Sequence, residues 1–145
     1  MKKLGFAALA AAALLYAPSA SAQNYPFVGG DYVEVTGVSV DDGHGMDYAM
    51  FLNGYYRAQE EYAHSQGWQT SWEILQNVYR RKGEPDIYLI RRYHNLVDGA
   101  EQEKRFAMMR EHVKMSDAQM EASSGDRARF RHVESTMLLQ ELRPR

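Results

Sequence analysis

Apolar positions along this chain change period several times, and each change marks an element. Residues 4–16 are an almost unbroken apolar run. Residues 32–40 alternate, with Val33 and Val35 in one phase and Val38 and Val40 in the other, so a strand with a bulge at Gly37 is predicted. From Met46 to Ser65 the period lengthens. Tyr48, Phe51, Leu52, Tyr55, Ala58, Gln59 and Tyr62 recur every three or four residues and predict an amphipathic helix closed by Gly67. Alternation returns over 68–80, with Trp72, Ile74 and Val78 opposite Leu75 and Tyr79. After an Arg81-Lys82-Gly83-Glu84-Pro85 connection it continues over 86–94, where Ile87, Leu89, Arg91 and Tyr93 oppose Tyr88, Ile90, Arg92 and His94. Asp98 with Glu101 has capping-box spacing and opens a second helix carrying Phe106, Met109, Val113 and Met120. Ser116 with Gln119 repeats the signal and predicts a break there, and Ser123-Ser124-Gly125 is expected to end the helical region. A last strand is predicted over 132–142, with Val133, Met137 and Leu139 opposite Leu138 and Leu142.

The leading apolar run follows Lys2-Lys3 and ends in Pro18 and Ala20-Ser21-Ala22, the order of a cleavable secretory signal cut before Gln23. It is shorter than the roughly 20 apolar residues that span a bilayer. The expected organisation is therefore a signal peptide at 1–22, a flexible leader at 23–30 and one domain at 31–145, exported to the periplasm or secreted and not held at a membrane after cleavage. The chain has no cysteine, so neither disulfides nor thiol catalysis are available to it. Loss of Lys2 and Lys3 with the leader leaves 15 basic against 19 acidic side chains, a net charge of −4. That balance, without a basic cluster, argues against nucleic acid as a partner.

The element order is strand, helix, strand, strand, helix, strand. It predicts an α+β, ferredoxin-like β-α-β-β-α-β fold: a four-stranded antiparallel sheet with both helices on one face. The other face carries apolar and aromatic side chains, and a second copy of the chain is its expected cover. Asp42-Gly43-His44-Gly45 after strand one, the Tyr-rich first helix, Gly67-Trp68, Trp72-Glu73-Ile74-Leu75, Gly83-Glu84-Pro85-Asp86-Ile87-Tyr88-Leu89 and the closing Leu138-Leu139-Gln140-Glu141-Leu142-Arg143 together resemble the dimeric α/β-barrel superfamily over most of 31–143. The segment 114–131 is longer than that pattern needs. The resemblance implies a homodimer. It leaves function open, because the superfamily includes cofactor-free oxygenases, isomerases and lyases, haem-handling enzymes and plain binding modules.

Candidate chemistry is sparse. His44, in a glycine-flanked turn, has the pKa range of a proton shuttle, the alternative being a solvated loop histidine. Arg91 is an anchor for an anionic group if it faces away from the helices, the alternative being an ion pair with a glutamate. Trp72, Tyr79 and Tyr93 are candidate walls for a ligand, the alternative being core or dimer interface. Glu134 and Glu141 are bases only if buried. His112 and His132 lack metal-ligand spacing, and no metal or cofactor is implied. The chain has no G-x-S-x-G elbow, phosphate-binding loop or dinucleotide fingerprint. The expected function is binding of a small aromatic or apolar molecule bearing an anionic group. The alternative is a cofactor-independent acid–base enzyme, a lyase, isomerase or monooxygenase, using the same cavity.

Overall fold

The computed structural model describes residues 25–145; the signal-like segment and its cleavage site lie outside the described residues. Strands β1 (Phe27–Val40), β2 (Ser71–Gln76), β3 (Ile87–Tyr93) and β4 (Arg131–Pro144) form one antiparallel sheet in the order β2-β3-β1-β4. Helices α1 (Gly45–Phe51) and α2 (Arg57–Ser65) follow β1, and α3 (Gly99–Val113) and α4 (Asp117–Arg127) follow β3. This is the β-α-β-β-α-β order expected, in the ferredoxin-like arrangement. Among the described residues no helix is long and apolar enough to cross a membrane.

The first helical stretch is a single rod interrupted by a π-helical turn at Leu52–Tyr56. Its buried residues explain the turn. Tyr48, Leu52, Tyr56 and Glu60 are each four apart and all face the sheet. On a regular α-helix a strict four-residue repeat drifts about 40° per step, so Tyr48 and Glu60 could not share a face. A wider turn absorbs the drift. Gly67, at φ 68°, then stops the rod as expected.

Side-chain alternation gives the sheet two distinct faces. On the helix side lie Glu34, Thr36 and Val38 of β1, Trp72 and Ile74 of β2, and Ile87, Leu89, Arg91 and Tyr93 of β3. Val38, Tyr48, Leu52 and Tyr56 are the buried apolar core, with Trp72, Ile87, Leu89 and Phe130 packed around them. The other face presents Val33, Val35, Leu75, Tyr88, Ile90, Met137 and Leu139, and no helix among the described residues covers it. Leu75, Met137 and Leu139 are 45%, 44% and 50% exposed.

Several boundaries differ from the sequence expectation. Strand β1 is continuous through Gly37; Val38 and Val40 belong to the opposite face rather than to a shifted phase. The irregularity is in β4, which carries Glu134 as an extra residue between the Gly37–Ser135 and Val38–Val133 pairs. Gly37 serves close approach instead, since a Cβ there would sit 2.6 Å from Pro85 Cγ. Strand β1 also starts at Phe27, within the segment read as leader, because the far end of β4 pairs with it from Leu142 to Pro144. Strand β2 ends at Gln76 and leaves Val78 and Tyr79 in a loop, where Asn77 bonds Glu84 and the Pro85 carbonyl. The break near Ser116 is present: α3 ends on Lys114 at φ 54°, and Ser116 with Gln119 forms a reciprocal capping box. Gly125, by contrast, lies inside α4, which continues to Arg127.

Candidate functional site

Helices α1 and α2 lie against the sheet, and α3 packs on α2. The ring of His112 stacks on Tyr62 at 3.9 Å, and the Arg105 guanidinium lies 5.5 Å from the centre of the Trp68 ring. Helix α3 therefore stands away from the β1–β4 half of the sheet, and α4 runs on from it to place the Arg127 guanidinium 4.0 Å from the centre of the Phe51 ring of α1. The space left beneath them is a half-open cavity of about 950 Å³. Phe106 and Met109 of α3, Met120 of α4, Leu138 of β4 and Trp68 supply its apolar wall. Its polar end is formed by Glu34, Arg91, Tyr93, Glu60 and Gln69.

That polar end is built around one buried carboxylate. Glu60 is 3% exposed. The Arg91 Nε donates to its two oxygens at 2.9 and 3.1 Å, and an Arg91 Nη donates at 2.6 Å. Gln69, 4% exposed, donates to Glu60 Oε2 at 3.0 Å and to the Glu60 carbonyl at 3.1 Å. The other Arg91 Nη donates to Glu34 Oε1 at 2.8 Å. Burial alone would make the guanidinium easier to deprotonate, but the hydrogen bonds and charge of Glu60 hold its pKa above the ordinary value. Burial, together with the charge of Glu34, pushes the Tyr93 phenol up to about 12. A neighbouring phenol, Tyr56, is 4% exposed and its hydroxyl has no hydrogen-bond partner among the described residues. Its pKa is raised, chiefly by burial.

The structure brings together some of the sequence candidates and separates others. Arg91 and Tyr93 share the cavity wall. Arg91 faces the helices, not the open sheet face, and forms the ion pair with glutamates that the sequence left as its alternative. Trp72 lies in the core, edge-on to Tyr56 at 6.3 Å. Tyr79 is 90% exposed in the β2–β3 loop and is not in the cavity wall, because β3 begins too late to pair with it. His44 precedes α1, stacks on Phe130 at 4.8 Å and meets Asp47 at 2.9 Å. It lies 15 residues before Gln59, about 20 Å along the rod from the cavity wall. None of the five histidines lines the cavity. His94 and His132 form exposed pairs with Asp31 and Asp41, and Glu134 is exposed. Glu60 and Gln69 were missed by sequence reasoning. The four-residue spacing from Tyr48 to Glu60 is the signal that could have found the first. No group of three His, Asp or Glu side chains among the described residues could hold a metal ion.

Compared with known proteins, the chain matches no family model, no curated protein and no solved structure at a significant level.

Proposed function

We propose that the mature chain is an exported small-molecule-binding domain that holds an apolar or aromatic ligand in the cavity between α2, α3, α4 and the sheet. The observation that carries this reading is the cavity itself. Its volume is in the range of ligand sites, and its wall joins an apolar stretch of Phe106, Met109, Met120 and Leu138 to a hydrogen-bonded polar end. Binding is favoured over catalysis because no histidine lines the cavity and both carboxylates of its polar end, Glu60 and Glu34, are ion-paired with Arg91. An acid–base enzyme needs a group free to move a proton.

The same proposal has the protein work as a homodimer of the dimeric α/β-barrel type, paired through the uncovered sheet face. In support, Val33, Val35, Leu75, Tyr88, Ile90, Met137 and Leu139 make one contiguous apolar surface. The buried core is also small for one domain. Native mass spectrometry on residues 23–145 tests both parts. The expected result is a dimer that takes up one apolar small molecule per subunit. Ala63→Trp, which fills the cavity from α2, should abolish uptake and leave the dimer intact. Val35→Asp, on the uncovered face, should give monomers that still bind. Absence of uptake by the unmodified protein overturns the binding reading, and a clean monomer overturns the barrel.

A further inference from the structure

We infer that the ligand's head group is cationic, an ammonium or a comparable positively charged donor, rather than an anion; this rests on the cavity being a ligand site. Four carboxylates and three guanidinium groups line the cavity, so its wall carries a net charge of −1. The excess sits at the polar end. There one cation, Arg91, is shared between two carboxylates, Glu60 and Glu34. The Arg91 charge is therefore already neutralised, and an incoming anion would meet a local charge of −1. The second oxygen of Glu34 has no hydrogen-bond partner among the described residues, and its side chain is 29% exposed where the cavity begins. At the polar end it is the carboxylate oxygen left for a ligand.

The chemistry of the wall agrees. The remaining guanidinium groups are engaged elsewhere: Arg105 pairs with Glu101 at 2.9 Å, and Arg110 with Asp117 at 3.3 Å. Tyr93 beside Glu34 presents a phenol that stays neutral well above pH 7, and an aromatic ring can face a cation favourably. The apolar surface of Phe106, Met109, Met120 and Leu138 then takes the ligand's body. The recognised class is an amphiphilic amine, with Glu34 at the ammonium.

Three probes with one alkyl body separate the possibilities: decylamine, decanoate and 1-decanol, each titrated at neutral pH and low salt below its aggregation range, with tryptophan fluorescence as the readout, Trp68 lying in the cavity wall and Trp72 in the core. Decylamine should bind at least about tenfold more tightly than decanoate, the preference shrinking with added salt because it is a charge effect. Glu34→Gln should bring the two within about threefold of each other and leave 1-decanol unchanged. If decanoate binds as tightly as decylamine while 1-decanol also binds, the cavity is a ligand site and the cationic assignment is wrong. If none of the three binds to the unmodified protein, the ligand site itself is wrong and the assignment falls with it.

Discussion

Arg91 shows how one side chain can look like a ligand anchor and be something else. It is the most strongly placed cation on β3, yet three of its bonds go to Glu60. Removing one member of a buried pair leaves the other charge without compensation, which typically costs 3–5 kcal/mol. Arg91→Met should therefore lower the unfolding free energy by about 3 kcal/mol, measured by urea titration at pH 7. A loss below about 1 kcal/mol would mean that Glu60 finds water or another donor. Tyr93 gives a pH signature. Its folded value of about 12 stands above the ordinary 10, so the folded state holds a proton that the unfolded chain releases first. Its contribution is fully present below pH 10 and is lost as the pH rises towards 12. Absorbance titration of the phenols should show a late component that Tyr93→Phe reduces by one phenol, the buried Tyr56 supplying another that remains. Little of this was legible in the sequence. Arg91 and Tyr93 stood out as residues sharing a strand face, but the partner of Arg91 is 31 positions away on a different element, and only the packing of α2 on the sheet joins them.

Most of the elements were legible, because period and capping chemistry are local. The alternation of β3 survived intact, and so did the break between α3 and α4, where a serine and a glutamine three residues apart satisfy each other's backbone groups. What failed was the reading of edges. Valines in two phases of β1 looked like a bulge. They are instead the inner and outer lining of a strand with apolar surfaces on both sides, and such a strand carries no phase signal. Gly37 was noticed for the wrong reason: it is there because Pro85 lies against it. Gly37→Ala should cost about 1–3 kcal/mol by forcing Pro85 or Ser135 to shift. The denaturation midpoint checks this, and an unchanged midpoint would show that the 77–86 loop moves aside freely. The π turn in the first rod was equally available, in the spacing Tyr48, Leu52, Tyr56, Glu60, but a helix template of mixed threes and fours does not register a strict four.

At the scale of the whole molecule, the order of strands and helices was legible and the cavity was not. The cavity depends on α3 resting on α2 rather than on β4, a choice made by contacts such as His112 on Tyr62 that no linear pattern announces. The uncovered sheet face was foreseeable from strand composition, since β3 and β4 are apolar on both sides. The long pairing of β1 with β4 has one more consequence. It brings Arg145 to Pro26, with the Arg145 amide donating to the Pro26 carbonyl at 3.0 Å, and its guanidinium reaches the Tyr25 carbonyl. These two strands are joined only after everything between them has been made, so the largest ladder in the sheet closes the longest loop. Long-range pairing of this kind slows folding. A circular permutant that links Arg145 to Tyr25 by a few glycines and reopens the chain at Gly83 would turn that ladder into a local hairpin. It should refold several-fold faster in stopped-flow experiments while keeping the same sheet. If its refolding rate matches that of the parent, docking of the helices, rather than closure of the sheet, limits how fast this protein forms.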